Sequence, residues 1–349
     1  MNSVKVGIVG SGFIADHHIY SYKQLQNVEI AGIASVLVKE AENLKEKYAL
    51  NCPIFEDYKE LLKMNVDAVS LCVPNFLHEK IGIEALNSGI HIMVEKPLAR
   101  NVQEGKNLCD AANKAGKQIF YCENNIYAPA FVKFKSLIDE GALGKIYLGR
   151  GKEQHSGPHS KWFYKKEPSG GGVLVDLGIH DVACLVYFLG KKVKKVFCQT
   201  DIIQRDRGEF GECEVEDSAV GVLYFEDGAQ IIIEESWCAP GGYDMKFELY
   251  GTNGQAIVDP CRNDTIVCYS ETGYGYAVEK AGSTKGWTFP VPGEAFMFGY
   301  PQEMAHFIDC IVNNKKPITD GEFGLQILNI VETMYKSAQS GKIEEVKPI

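Results

Sequence analysis

A glycine-rich turn near the start of the chain constrains the fold more than any other feature. Residues Val4–Val9 are rich in β-branched side chains and predict a strand, and a helical stretch through Tyr22 follows. Between them Gly10, Gly12 and Ala15 form the pattern G-x-G-x-x-A. The first glycine makes a tight turn, the second lets the backbone approach a pyrophosphate, and the small third residue packs the helix on the strand. The free N–H groups at the helix start would face the phosphates.

Strands and helices continue to alternate up to residue 124. We predict further strands at 28–35, 67–73, 91–95 and 118–122 and further helices at 39–48, 57–62, 78–88 and 102–115. Alternation at this spacing is typical of a doubly wound parallel sheet, so the predicted fold class is α/β. We expect a dinucleotide-binding domain of Rossmann type over residues 1–124 and a second domain over residues 125–349.

Strands dominate the second half of the chain. We predict a helix at 129–140, strands at 145–153, 193–201, 218–225, 229–237, 245–250 and 255–259, and helices at 302–313 and 321–340. Long alternating strands joined by short loops favour an antiparallel or mixed sheet in an α+β domain. One face of this sheet would cover helices, and the other would pack on another subunit.

Charge and cysteine content limit the classes of partner and compartment. The formal net charge of -10 argues against a nucleic-acid partner, because phosphate binding needs a basic surface. The 11 cysteines are scattered, odd in number and without a C-x-x-C pair, which favours reduced thiols in a cytoplasmic protein. No signal peptide is apparent, and no apolar run looks long enough to cross a bilayer, so we expect no membrane partner.

Two predicted strand ends are candidates for ligand contacts, because ligands bind outside the carboxyl ends of strands in open α/β sheets. The strand at 91–95 ends in Glu95, Lys96 and Pro97, and the proline keeps Lys96 out of the helical region. A plain turn with an exposed lysine would give the same pattern. The second strand ends at Ser35, where an acidic residue would mark NAD and a nearby arginine NADP. Neither is present; we favour NAD because the arginine is missing, and NADP stays open.

An acid and a base lie in an apolar stretch that follows three glycines, Gly170–Gly172. We predict a helix here, in which Asp176 and His180 are four residues apart and share one face. Burying such groups is costly unless they are paired or used. The alternatives are a satisfied core pair, or His180 and Asp181 at a solvated edge.

The loop over residues 153–164 mixes hydrogen-bonding groups with aromatic rings, as sugar sites do. We predict that it forms a pocket wall, with His155 and Trp162 as substrate-binding candidates; the alternative is a surface loop anchored by Trp162. His155 and His159 lack a carboxylate at ligand spacing, so no metal site is predicted. The lone histidines are predicted to be structural or exposed: His17, His18, His91 and His306.

Taken together, the G-x-G-x-x-A turn, Glu95-Lys96-Pro97, and the glycines before Asp176 and His180 resemble the glucose-fructose oxidoreductase / inositol dehydrogenase family (Gfo/Idh/MocA). The resemblance spans the chain and extends to further positions: Pro74, Asn75, His78, Asn124, Pro129 and residues 139–144. It implies a C-terminal domain with a large open, mainly antiparallel sheet used for homo-oligomerisation. It also implies oxidation of a secondary alcohol of a sugar or polyol by NAD(P).

The resemblance assigns roles to individual residues. Lys96, Asp176 and His180 match the catalytic set and would also bind the substrate. The expected cofactor-binding residues are Gly10, Gly12, Phe13, Ile14, Ser35, Pro74, Asn75, His78, Glu95, Lys96 and Asn124. Three positions depart from the family pattern: Ser35 replaces an acid, Ile126 an often-found arginine, and Ala183 a common aspartate.

We expect His180 to take the hydroxyl proton, Lys96 to orient the hydroxyl and stabilise alkoxide charge, and Asp176 to hold the sugar. The cofactor itself performs the hydride chemistry. By analogy, the expected reaction is oxidation of a sugar or glycoside to a keto sugar, with C3 as the candidate position. The alternatives are an inositol 2-dehydrogenase, a glycosidase that uses bound NAD for transient oxidation, and a non-catalytic sugar or NAD sensor.

Overall fold

The computed structural model describes residues 3–261 and 266–349. The chain divides into two units, one made of Met1–Tyr127 and Gly299–Gln326 and the other of Ala128–Phe298 and Ile327–Ile349. Residues 299–326 therefore group with the dinucleotide-binding unit, whereas the sequence suggested that they belong to the C-terminal domain. Their aromatic rings explain the grouping, because Tyr300 packs on His17 at 4.7 Å and Phe307 packs on Phe120 at 5.2 Å.

Six parallel strands form the sheet of the first unit. They are β1 (Val4–Val9), β2 (Val28–Ala34), β3 (Ile54–Phe55), β4 (Ala68–Leu71), β5 (His91–Glu95) and β6 (Ile119–Cys122). Their order is β3-β2-β1-β4-β5-β6, which is the order of a dinucleotide-binding doubly wound sheet. The predicted fold class of this half is confirmed.

The helices that connect these strands begin and end within one residue of the predicted bounds. They are α1 (Phe13–Tyr22), α2 (Val38–Lys47), α3 (Tyr58–Leu62), α4 (His78–Asn87) and α5 (Val102–Ala115). The side chain of Asn101 caps α5 by accepting a hydrogen bond from the Glu104 N–H, and Gly116 ends it in the left-handed conformation.

The central strands of this sheet are covered on both faces. All residues of β4 and β6 are buried, and Val6 and Ile8 of β1 have no exposed surface. Such strands need apolar residues at consecutive rather than alternating positions. The one hydroxyl in β4, on Ser70, is satisfied by the Tyr22 hydroxyl at 2.7 Å.

The second unit contains a seven-stranded sheet and a two-stranded hairpin. The strands are β7 (Ile146–Gln154), β8 (Val193–Asp201), β9 (Ser218–Phe225), β10 (Gln230–Ser236), β11 (Asp244–Gly251), β12 (Gln255–Val258), β13 (Cys268–Ser270), β14 (Gly286–Thr288) and β15 (Glu344–Glu345). The large sheet has the order β12-β11-β7-β10-β9-β8-β15. Among the described strands of this sheet, β7 and β10 pair in parallel and the other pairs run antiparallel, which confirms the mainly antiparallel sheet.

The remaining helices are α6 (Pro129–Asp139), α7 (Lys166–Ser169), α8 (Ile179–Leu189), α9 (Glu294–Met297), α10 (Tyr300–Asn313) and α11 (Gly321–Ser340).

The two faces of the large sheet differ in the side chains that cover them. Phe131 of α6, Phe188 of α8 and Phe247 of β11 pack edge to face with centroids 5.2–5.6 Å apart. The opposite face carries exposed aliphatic side chains, among them Leu148 and Val220.

One segment of the second unit is long and apolar enough to span a membrane by length and composition alone. It covers Lys166–Leu189, and 89% of its most apolar window is buried inside the structure. A buried core helix passes this test as readily as a membrane span does, so the segment is weak evidence for one. The expectation that the protein has no membrane partner stays a prediction.

Candidate active site

The glycine-rich turn shapes the carboxyl edge of the first unit's sheet. Gly10 has a φ of +108°, and a Cβ there would lie 2.0 Å from the carbonyl oxygen of Cys72, so only glycine fits. A Cβ on Gly12 would meet no heavy atom within 4 Å. Phe13 is exposed and Ile14 is half-buried in the first turn of α1. The first N–H groups of α1 follow this turn, and pyrophosphate binding there stays a prediction.

Hydroxyl and aliphatic groups follow the end of β2, where the ribose of a dinucleotide is expected. The hydroxyls of Ser35 and Ser11 lie 2.7 Å apart, and Ser35 Oγ also accepts a hydrogen bond from the Leu37 N–H at 3.0 Å. Val36 and Leu37 are 80% and 60% exposed. The Ser35 hydroxyl is therefore held in place next to an apolar surface, and its contact with a ribose stays a prediction.

His78 joins two loops at the sheet edge. Its ring nitrogens lie 2.9 Å from the carbonyl oxygens of Pro97 and Val73, and its pKa is lowered, chiefly by burial. Pro74 is half-buried, and Asn75 starts a short 3-10 turn with 4% of its surface exposed. His78 thus holds the segment after β4 against the segment after β5, which is where the sequence predicted cofactor contacts.

The carboxylate of Glu95 bridges a buried histidine and the backbone of Lys96. Glu95 Oε1 lies 2.8 Å from His18 Nε2, and Oε2 accepts a hydrogen bond from the Lys96 N–H at 3.3 Å. Burial alone would lower the pKa of His18, but Cys72 and Glu95 raise it well above the usual range. The histidine is 0% exposed and the glutamate 8%. The Glu95 side chain, which contacts the buried His18, is therefore positioned to orient the backbone at Lys96.

Cys122 adds a third potential metal ligand to this group. One ligand atom each of His18, Glu95 and Cys122 lies within 4.8 Å of the others. However, His18 Nε2 and Glu95 Oε1 are at hydrogen-bond distance, whereas a tetrahedral zinc with bonds of about 2.0–2.2 Å would separate them to about 3.3 Å. The geometry fits a hydrogen-bonded group, and the absence of a metal stays a prediction.

The remaining predicted residues of the first unit follow β5 and β6. Lys96 is half-buried and precedes Pro97 through a cis peptide bond. Asn124, 8% exposed, donates a hydrogen bond to the side-chain oxygen of Asn125 at 3.2 Å. Ile126, which replaces the arginine of the family pattern, is 1% exposed, so its side chain belongs to the core.

A π-helical turn in the second unit carries Asp176. The sequence predicted a continuous α-helix, but Leu174–Gly178 form a π-helix before α8 begins. The wider i→i+5 turn means that a regular α-helix was the wrong prediction for this stretch, while the shared face of Asp176 and His180 stays a prediction. Both side chains are buried, with 8% and 5% of their surface exposed.

Trp237 holds the carboxylate of Asp176. Its indole Nε1 donates a hydrogen bond to Asp176 Oδ2 at 3.1 Å, and the tryptophan is 0% exposed. Tyr164 packs edge to face on Trp237 at 5.5 Å and donates its hydroxyl hydrogen bond to the carbonyl of Pro158. The sequence reading did not connect Trp237 with Asp176, because the two residues are 61 positions apart.

A group of buried carboxylates lies beside the same helix. Glu153 of β7 and Glu235 of β10 are register partners, and Asp181 of α8 lies close enough to Glu235 to raise the pKa of its carboxyl group. All three are at most 1% exposed, so the alternative of His180 and Asp181 at a solvated edge is wrong. Burial, followed by Asp181 and Glu153, raises the pKa of Glu235 well above its usual range. The raised pKa favours the protonated form of Glu235, which can donate a hydrogen bond.

The two substrate-binding candidates of the loop differ in accessibility. His155 is 2% exposed, stacks on Tyr243 at 5.9 Å, and accepts a hydrogen bond at Nδ1 from the Gly157 N–H. Its ring therefore faces the interior. Trp162 is half-buried and stacks on Phe163 at 3.8 Å, so part of its surface can meet a ligand.

The candidate residues fall into both units. Asp176, His180, His155 and Trp162 belong to the second unit, whereas Lys96 and the predicted cofactor-binding residues belong to the first. The structure thus brings Asp176 and His180 to one helical segment, and it gathers the glycine-rich turn, Ser35 and Lys96 at strand ends of one sheet.

Family models match both units. Residues 4–122 match an oxidoreductase family model described as an NAD-binding Rossmann fold, and residues 131–257 match the GFO/IDH/MocA C-terminal domain. The matched ranges together cover more than half of the chain.

Full-length relatives and solved structures resemble the chain throughout. Myo-inositol 2-dehydrogenase of Thermotoga maritima is 28% identical over 347 residues, covering 98% of this chain and 99% of the relative. D-glucoside 3-dehydrogenase of Escherichia coli is 28% identical over 366 residues, covering 97% and 96%. The crystal structure of GenD2 from gentamicin A biosynthesis, in complex with NAD, is 26% identical with a TM-score of 0.92, covering 100% of this chain and 97% of that one.

Proposed function

Since the chain belongs to the GFO/IDH/MocA family of oxidoreductases and carries its NAD-binding Rossmann domain, we propose that it oxidises a secondary hydroxyl of a sugar or glycoside to a ketone. Bound NAD would accept the hydride from the carbinol carbon, and the protein would accept the hydroxyl proton. The observation that carries the proposal is that Asp176 and His180 are both buried, four residues apart in one helical segment, with Asp176 held by Trp237. An acid and a base are buried together at such a cost only where they are paired or used.

The proposed roles follow from the chemistry of each group. His180 takes the hydroxyl proton as a general base, which is the role that histidine most often has near neutral pH. Lys96 donates a hydrogen bond to the reacting oxygen and stabilises its developing negative charge. Asp176 accepts hydrogen bonds from sugar hydroxyls. The hydrogen bond from the Trp237 indole N–H to Oδ2 holds its carboxylate in a fixed orientation.

NAD is the proposed electron acceptor. The turn at Gly10 and Gly12 leaves room for a pyrophosphate, and Ser35 offers a neutral hydroxyl at the ribose position. A bound dinucleotide would supply the hydride acceptor, and the protein would supply orientation and electrostatics. NADP remains compatible with this site, since Ser35 does not repel a 2′-phosphate as a carboxylate would.

The proposed substrate is a sugar or glycoside, with C3 as the position of oxidation. The support is the name of the Escherichia coli relative, a D-glucoside 3-dehydrogenase, together with the accessible ring of Trp162. The exposed rings of Tyr276 and Trp287 in the same unit offer apolar surface of the kind that sugar faces bind. The second candidate is myo-inositol, favoured by the Thermotoga maritima relative at the same 28% identity.

We also propose that the protein is a cytoplasmic homo-oligomer with a dinucleotide-binding domain and a substrate domain. The free thiols of all 11 cysteines fit a reducing compartment. The exposed face of the large sheet carries Leu148, Val220 and Ile257, each at least 41% exposed, beside an Arg150–Glu234 ion pair. A second copy covering this face would bury those side chains.

The experiment combines cofactor identification with a substrate panel. The protein is purified, its denatured supernatant is analysed for NAD(H) and NADP(H), and reduced nicotinamide is followed spectrophotometrically with inositols, hexoses and glycosides. Reduction by a glucoside with a 3-keto product supports the proposal, and reduction by myo-inositol alone supports the second candidate. Aglycone release without net NADH would indicate a glycosidase. Binding of NAD and sugar without any product would indicate a sensor and overturn the dehydrogenase proposal.

A further inference from the structure

The side chain of Glu216 caps the N-terminal end of the helical segment that carries Asp176. Its Oε1 accepts hydrogen bonds from the N–H groups of Gly172 and Leu174, both at 3.1 Å. Its main-chain carbonyl accepts a further hydrogen bond from the Val173 N–H at 2.9 Å. These N–H groups lie at a helix start, where the backbone donors have no partner within the helix.

Tyr335 of α11 completes this group. Its hydroxyl donates a hydrogen bond to Glu216 Oε1 at 2.6 Å and lies 3.2 Å from the Gly172 nitrogen. One carboxylate oxygen thus receives three donors, from two backbone sites and one side chain. The contact joins three distant parts of the second unit: the turn at 172–174, the segment before β9, and α11.

The glycines before the helix make these contacts close. A Cβ on Gly172 would lie 1.9 Å from the carbonyl oxygen of Glu216, and a Cβ on Gly171 would lie 2.2 Å from the Tyr335 hydroxyl. Neither distance is possible for a real side chain, so both positions require glycine. The glycine run therefore serves the approach of Glu216 and Tyr335.

The surroundings of Glu216 act on its carboxyl group in two opposite ways. Its pKa is raised, chiefly by burial, while the hydrogen bonds from Tyr335 and the helix start lower it in part. A carboxylate at a helix N-terminus is also stabilised by the helix dipole. The group closes the segment where the π-helical turn Leu174–Gly178 begins, and such turns are irregular and frequent at functional sites.

We propose that Glu216 and Tyr335 are positioning residues that fix the turn carrying Asp176 and His180, and so set the geometry of proton transfer. Neither residue is assigned to the reaction itself. The inference rests on the proposed function for its catalytic consequence, whereas the position of Asp176 can be tested without any substrate. A misplacement of about 1 Å can lower a rate by about a hundredfold, so a clear effect on turnover is expected.

The Trp237 indole N–H reports the position of Asp176, because it is hydrogen-bonded to that carboxylate. The protein is labelled with 15N-tryptophan, and its 3 indole signals are recorded in wild type, Glu216→Ala, Glu216→Gln and Tyr335→Phe. Trp237→Phe assigns the reporter. We expect its signal to move in Glu216→Ala and Tyr335→Phe and to stay near wild type in Glu216→Gln, which keeps an acceptor oxygen. The signal of Trp287, which is 70% exposed, should not move.

Kinetics with the identified substrate complete the test. We expect kcat to fall by about ten- to a hundredfold in Glu216→Ala with little change in KM, and Glu216→Gln to restore most of it. The matched control is Tyr58→Phe, which removes another tyrosine–glutamate hydrogen bond, to Glu84 in the first unit, and should change neither readout.

The outcomes separate the inference from the proposed function. An unmoved Trp237 signal in folded Glu216→Ala, or in Tyr335→Phe if that variant alone folds, overturns the inference. A wild-type protein that oxidises no sugar or polyol overturns the proposed function, while the Trp237 signal still decides whether Glu216 and Tyr335 hold Asp176. A moved signal with unchanged kcat and pH profile limits the pair to a structural role and overturns its part in the reaction.

Discussion

The indole N–H of Trp237 is bonded to Oδ2 of Asp176 over 3.1 Å, and both residues are buried. Because a carboxylate with one fixed oxygen can rotate little, the tryptophan limits the orientation of the Asp176 carboxylate. The pair links the end of β10 to the π-helical turn before α8, and this link leads to the first prediction.

Trp237→Phe should lower activity more than it disturbs the fold. The substitution removes the indole N–H that donates to Asp176 Oδ2. The loss of this donor to a buried oxygen lowers the free energy of unfolding by about 1–3 kcal/mol. Released from its donor, Asp176 can rotate, and we expect kcat/KM to fall by up to about a hundredfold. Thermal unfolding and steady-state kinetics measure the two effects. Tyr58→Phe, which removes the hydrogen bond to Glu84 in the first unit, is the control, and an equal loss of activity there would contradict the prediction.

His180→Ala and Lys96→Ala should each lower kcat by about 10²–10⁴-fold, the usual contribution of a positioned acid, base or charge. Cofactor binding should persist in His180→Ala, because the predicted cofactor contacts lie in the first unit. Stopped-flow reduction of NAD measures the chemical step. Lys106→Ala, an exposed lysine of α5 in the same unit as Lys96, is the control. Near-normal turnover in either variant would remove that residue from the mechanism.

Ser35→Asp should increase the preference for NAD over NADP by at least about tenfold. A carboxylate at the end of β2 can accept hydrogen bonds from the ribose hydroxyls, and it repels a 2′-phosphate. Titration of NADH and NADPH by nicotinamide fluorescence gives the ratio of dissociation constants. Ser11→Ala removes the Ser11–Ser35 contact without adding charge and separates the two effects. An unchanged ratio in Ser35→Asp would place the ribose elsewhere.

Glu235→Gln should make the protein more stable at alkaline pH. The pKa of Glu235 is raised in the folded state, chiefly by burial and then by Asp181 and Glu153. Its stabilising contribution is therefore complete below the pKa of an unfolded glutamate and is lost as pH rises through the folded value. Glutamine mimics the protonated form and removes this loss, with about 1.4 kcal/mol for each tenfold change in proton affinity. Urea unfolding at pH 5 and pH 9 gives the free energy of unfolding of wild type and Glu235→Gln. The same change in free energy between the two pH values in both proteins would contradict the prediction.

Val220→Arg should disrupt the proposed subunit interface. Val220 is 50% exposed on the face of the large sheet opposite the helices, and a buried unpaired charge there is costly. Light scattering after size-exclusion chromatography should show a smaller assembly. Val132→Arg, at a 52% exposed position of α6, is the control. A mass equal to that of wild type would exclude this face as the interface.

Local patterns in the sequence predicted most of the framework. The turn at Gly10 and Gly12 and the alternation after it identified the parallel sheet, because strand and helix periods differ along the chain. In the second half, Val193–Asp201 and Ser218–Phe225 have the predicted bounds. Such elements are specified by residues close together in sequence.

The features that the sequence did not reveal depend on distant contacts. The π-helical turn at Leu174–Gly178 was predicted as α-helix, since an apolar run has no signature that separates the two. The carboxylate that caps this turn belongs to Glu216, which accepts a hydrogen bond from the Leu174 N–H and lies 42 positions farther along the chain. The bond between His18 and Glu95 spans 77 positions, and His18 in isolation looked like any buried or exposed histidine. Periodicity carries no information about such pairs.

The two-part composition of the first unit has a consequence for synthesis of the chain. Its sheet is complete in sequence at Cys122, but Phe307, which packs on Phe120, is added far later. At about 5–20 residues per second, a ribosome needs roughly ten to forty seconds to cover that interval. Throughout it, the nascent sheet lacks the helix α10 that covers this ring. The apolar surface around Phe120 is then open to chaperones, and a truncated chain ending before residue 299 would keep it exposed permanently.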